Sequence, residues 1–182
     1  MIAADKETRL KLRYAGARLH VEAMAGEEAV RLVEWLVTAG FWFDEFFLIL
    51  DAGPIMREIS EPLRSCLRAF NALPDGFDQA VRFLADFHVN EVLDRGADPS
   101  FELFQLFEAD LRGYYISGAL ETILPEDADF QVFRELHKAG DYFLTPYDDI
   151  WPSEEVRKTA LSEHNKRVIE AAERWRARES GH

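Results

Sequence analysis

Residues 98–124, DPSFELFQLFEADLRGYYISGALETIL, decide how the rest of the chain is read. Asp98 offers a carboxylate to cap a helix, and Pro99 follows at the first helical position, where its missing N–H costs nothing. Phe104, Phe107, Leu111 and Tyr115 recur at helical steps and share one face. Leu103, Leu106 and Tyr114 widen that face beyond the roughly 100° stripe of a helix buried on one side only. The stretch predicts a central helix with neighbours on several sides. Gly113 and Gly118 are its points of close backbone approach, and Glu102, Glu108, Asp110 and Arg112 are expected along its wet edge. Each large apolar side chain buried there is worth about 1.5–3 kcal/mol, enough for the helix to anchor a core.

On the N-terminal side, residues 78–95 read as a helix on Val81, Leu84, His88 and Val92, closed by Gly96 and packed antiparallel to the central helix through a short link. Before it, Ser60-Glu61-Pro62 starts a helix facing in with Leu63, Leu67, Phe70 and Leu73. Residues 41–50, dense in aromatic and branched side chains, fit either a buried strand or a short core helix, ended by Gly53-Pro54. Residues 27–39 form a helix stopped by Gly40. At the N-terminus, residues 9–14 and 18–23 alternate polar and apolar around Ala15-Gly16-Ala17, which predicts a β-hairpin. A helix there would use Leu10, Tyr14, Ala17, Val21 and Met24 and leave Leu12 and Leu19 off its face.

Beyond the central stretch, residues 129–139 predict a helix that stops at Gly140, followed by an irregular surface segment over 141–151. A last helix runs from Ser153 to about Arg178, with Glu154–Lys158, Glu163–Arg167 and Glu170–Arg174 spaced as favourable i,i+4 pairs. Its narrow seam of Leu161, Val168, Ala172 and Trp175 is to be covered by the rest of the chain, as a lid, or by a second copy in a homodimer. The expected fold is mainly α, about six helices around residues 98–124 with an N-terminal β-hairpin, that is, α+β; an all-α bundle is the alternative. One domain over 1–182 is expected, comprising a hairpin in 1–25, an acidic helical core in 26–151 and a charged C-terminal helix in 152–182.

The chain of 182 residues carries 34 acids against 21 bases, a formal charge of −13. The ends are slightly basic, which leaves about −16 between residues 26 and 151. Such a surface repels nucleic-acid phosphate and anionic lipid and attracts a basic partner. The single cysteine, Cys66, excludes an intramolecular disulfide and suits a reducing compartment. Without a signal segment or an apolar run of membrane-spanning length, a cytoplasmic protein is expected.

The usual catalytic signatures are missing: no glycine-rich phosphate loop, no His-Glu-x-x-His pair and no paired Glu-x-x-His motifs. Cys66, among Leu63, Leu67 and Phe70, reads as a buried structural thiol. His88, Glu91 and Asp94 step along one helical side and could bind a metal, but a lone histidine beside Leu84 and Val92 reads first as a core-edge residue. His137 reads as favourable charge near a helix C-terminus, and His20 and His164 suggest no partner. Two carboxylate pairs, Glu58/Glu61 and Glu91/Asp94, are each spaced so that both members project one way from a helix and could hold Mg²⁺. That spacing is similar to the Glu-x-x-Glu … Glu-x-x-Asp pattern of all-α nucleotide pyrophosphatases of the MazG type. The resemblance implies a Mg²⁺-dependent hydrolase with those four residues as ligands.

The other candidate surface is 141–151, where Asp141, Tyr142, Tyr147, Asp148, Asp149 and Trp151 combine aromatic anchors with acids that would accept Arg or Lys. The function expected from these features is non-catalytic: a cytosolic protein-binding domain engaging a basic protein partner, as an immunity- or antitoxin-like inhibitor or an adaptor. No cofactor, nucleic acid or membrane is expected to bind. The Mg²⁺-dependent hydrolase is the alternative.

Overall fold

A computed structural model describes residues 4–112, 127–144 and 151–179, except for the side chains of 141–144 and 179. Among the described residues there are eight α-helices and no strand, so the fold is all-α and the N-terminal β-hairpin is not formed. The helices fall into two compact units, Met1–Phe83 and Leu84–His182. No helix in the described residues is long and apolar enough to cross a membrane.

The first unit contains α1 (Lys6–His20), α2 (Gly26–Thr38), α3 (Asp44–Ala52) and α4 (Met56–Ala69), and α5 (Phe77–Arg95) begins in it. Helix α1 replaces the expected hairpin for a local reason. Asp5 accepts a hydrogen bond from the Thr8 backbone N–H at 2.8 Å and another from the Thr8 hydroxyl at 2.9 Å, which fixes the first turn. Its buried residues are Thr8, Leu12, Ala15, Gly16, Ala17 and Leu19, so Leu12 and Leu19, which the residue pattern leaves off a helical face, are core contacts of the helix. A β-carbon at Gly16 would collide with the carbonyl of Ala72, so this glycine is a packing contact rather than a turn. Arg18 holds Glu28 of α2 at 2.8 Å, and Glu28 also accepts from the Ala25 N–H at 3.0 Å.

Helix α2 ends at Gly40 and α3 at Gly53, both at positive φ, as the residue pattern predicts. The 41–50 stretch resolves into an extended entry and the short helix α3, of which only Phe46 and Ile49 are buried. Helix α4 starts before Ser60, and Pro62 lies inside it rather than at its head. An interior proline costs about 3 kcal/mol; the burial of Ile59, Leu63, Cys66 and Leu67 on one face offsets it. Phe41, Phe43 and Phe70 close the core with ring centroids 5.2 and 5.4 Å apart about Phe70.

The second unit contains the rest of α5, then α6 (Pro99–Phe104), a π-helical segment (Gln105–Asp110), α7 (Ala128–Leu144) and α8 (Glu154–Glu179). Asp98 caps α6 through the Phe101 N–H at 2.8 Å, with Pro99 in the first turn. The expected central helix then widens into the π-segment, closed by Leu111 N–H to Leu106 C=O at 3.0 Å; residues 113–124 lie outside the described residues. Helix α7 does not stop at Gly140 but continues to Leu144. A β-carbon at Gly140 would lie 2.8 Å from His164 Nε2, so this glycine is where α7 and α8 meet. Val168, Ala172 and Trp175 of the α8 seam are buried by the chain itself. Trp175 is 0% exposed, contacts Phe130 and Phe133, and donates to Asp86 at 2.6 Å.

Candidate functional site

Asp110 is the residue the sequence places least well. Expected on a wet edge, it is 1% exposed. The wider π-turn carries Leu106, Phe107, Asp110 and Leu111 all to the buried side, and such insertions concentrate at functional positions. His88 of α5 is its partner: Nε2 lies 2.9 Å from Asp110 Oδ2, and Nδ1 lies 2.6 Å from Glu102 Oε2. Burial pushes the His88 pKa down, but its hydrogen bonds to the Asp110 and Glu102 carboxylates outweigh it, and the net shift is upward. The ring therefore favours the imidazolium, which donates an N–H to each carboxylate. Beside it, His137 stacks on Phe107 with centroids 5.0 Å apart and faces Glu108 at 3.2 Å. His137 lies within α7, not at a helix C-terminus, so the charge role expected there does not apply.

This arrangement holds a proton between two carboxylates and ties α5 to α6 and the π-segment. Both ring nitrogens are engaged, so the group acts as a clasp. The residue pattern does carry a signal for it: Glu102, Glu108 and Asp110 on an otherwise apolar stretch need partners, and His88 sits on the preceding helix.

The carboxylate pairs turn elsewhere. Helix α4 does run continuously through Glu58 and Glu61, but both are exposed, with Arg57 3.5 Å from Glu58 and Arg64 3.7 Å from Glu61. Glu91 pairs with Arg95 at 2.8 Å and Asp94 with Arg176 at 2.6 Å, while His88 turns to Glu102 and Asp110. His88, Glu91 and Asp94 therefore do not converge. Among the described residues, no three histidine, cysteine or carboxylate side chains are grouped to hold a metal. Cys66 is buried as expected; burial and then Glu45 push its thiol up to about 12.

Of the aromatic–acidic surface, Tyr147, Asp148 and Asp149 lie outside the described residues. Asp141 and Tyr142 belong to the last turn of α7, and Trp151 is half-buried. A second apolar surface was not foreseen. Trp42, Phe47, Leu48, Leu50 and Ile55, all between positions 42 and 55, make up most of the large apolar side chains left exposed among the described residues. Comparison of the chain with protein-family models, curated proteins and solved structures found no match.

Proposed function

We propose that this chain is a non-catalytic, cytoplasmic protein-binding domain whose partner is a basic protein, in the manner of an immunity- or antitoxin-like inhibitor or an adaptor. The charge balance carries the reading: 34 acids against 21 lysines and arginines leave 13 carboxylates with no lysine or arginine of this chain to match them. Self-repulsion of that size weakens the folded state, and a cationic surface relieves it. In this reading Asp141, Tyr142, Tyr147, Asp148, Asp149 and Trp151 form one contact region, the aspartates steering the approach and the rings supplying buried area.

The test is capture of partners from native lysate, identification of each, and measurement of association rates with the purified partner at low and high salt. A basic partner whose association slows as salt rises is the expected result. Substituting Asp148 and Asp149 by asparagine should slow association most at low salt and change the unfolding free energy by no more than the roughly ±0.5 kcal/mol usual for surface changes. A neutral or acidic partner, or a rate indifferent to salt, overturns the reading.

A further inference from the structure

Helix α3 is covered on one side only. Phe46 and Ile49 enter the core of the first unit, and Glu45 accepts from the Ser65 hydroxyl of α4 at 2.7 Å. On the opposite side Asp44, Phe47, Leu48 and Asp51 follow at i, i+3, i+4 and i+7, one outward stripe. Phe47 is 65% exposed and Leu48 59%. The ring of Trp42, 64% exposed, lies with its centroid 6.4 Å from that of Phe47. Asp44 and Asp51 are exposed at the two ends of the stripe. No lysine or arginine occurs between Arg31 and Arg57, whereas Glu34, Asp44, Glu45 and Asp51 do. On α4, Arg57 faces Glu58 and Arg64 faces Glu61.

We propose that the outward face of α3, with Trp42, Phe47 and Leu48 between Asp44 and Asp51, docks a cationic amphipathic segment of another protein. Scattered exposed apolar residues need no explanation, but a concentrated set rimmed by polar groups is the mark of a binding surface. Apolar side chains of the incoming segment cover Phe47 and Leu48. Its lysines or arginines reach the two aspartates, and one can lie over the Trp42 ring. A second copy of the chain is a poor occupant, because pairing this face with itself brings aspartates towards aspartates. An anionic membrane is repelled for the same reason.

The proposal rests on the basic-partner reading, and the test separates the two. The full chain is titrated with two synthetic peptides of equal length and charge, one an amphipathic Leu/Lys helix and the other with every leucine replaced by serine. Binding is followed by calorimetry and by backbone amide shifts. The Leu/Lys peptide should bind, move the α3 amides and lose affinity with salt. It should bind at least about tenfold more weakly to Phe47→Ala and to Leu48→Gln, the scale of an interface hot spot. Asp44→Asn/Asp51→Asn should weaken it further at low salt than at high salt. Either anchor variant alone suffices if the other fails to fold.

Equal affinity for wild type and anchor variants, or shifts confined to other helices, overturns the α3 surface and leaves the basic-partner reading standing. So does equally tight binding of the serine peptide. Failure of both peptides to bind also overturns the surface, while the salt dependence of the captured partner then judges the parent reading separately. A concentration-dependent dimer abolished by Phe47→Ala overturns the choice of occupant.

Discussion

His88 keeps a proton because folding supplies two carboxylates to share it. Its folded pKa lies above the usual 6.5, so its stabilisation is complete below about pH 6.5 and is lost as pH rises through the folded value. His164 runs the other way: burial, then Arg167, lower its pKa, so its contribution is present above about 6.5 and lost as pH falls. Unfolding free energy from urea titrations should therefore decline as pH rises above about 6.5. His88→Gln should remove that decline and cost about 3–5 kcal/mol at pH 6, as breaking a buried ion pair does. Identical slopes in variant and wild type would sink the clasp. Cys66, with its thiol near 12, should resist a thiol reagent at pH 8 until urea unfolds the chain. That residue was legible in advance because its own helix neighbours surround it. Asp110 was not, since its burial depends on a π-turn that no local pattern announces and on a histidine well before it in the chain.

Among the elements, an amphipathic helix with a glycine stop, such as α2, could be read directly, because the stop and the apolar face agree, whereas the apolar density of 41–50 fitted strand and helix alike and only Phe46 and Ile49 of α3 turn out buried. Glycine itself was the ambiguous letter. Gly40 does end a helix, at φ 87° with open space around it, whereas Gly16 and Gly140 sit inside helices as contact points. Composition cannot separate these uses; only the neighbour does, Ala72 in one case and His164 in the other. The hairpin expectation failed on this point, since reading Gly16 as a turn split one helix into two strands. An alanine in a helix interior ordinarily gains about 1 kcal/mol over glycine. Gly16→Ala should instead destabilise by about 1–3 kcal/mol, as overpacking does, in a urea unfolding measurement. A stabilised variant would mean that α1 does not meet the Ala72 carbonyl. Trp175→Ala should cost about 3–5 kcal/mol, the range for large aromatics in cores, and Trp175→Phe much less.

At the scale of the whole molecule, the charge of −13 makes self-repulsion the leading electrostatic term. Raising NaCl from about 0.02 to 0.3 M shortens the Debye length and should raise the melting temperature. A fall would show that ion pairs such as Arg18–Glu28 and Arg178–Asp127 dominate instead. The buried α8 seam leaves only Val156 and Ile169 as exposed large apolar side chains on that helix, so light scattering of the isolated protein should give a mass near 21.0 kDa. The placement of Trp42 has an optical consequence as well. Of the four tryptophans, Trp175 is fully buried and Trp42 the most exposed, with Trp35 and Trp151 half-buried, so the shortest-wavelength emitter lies in one unit and the longest-wavelength emitter in the other. A neutral quencher such as acrylamide should extinguish the red edge of the emission first. Any occupant that covers α3 should shift that edge to the blue, so the unlabelled protein signals its own occupancy by colour.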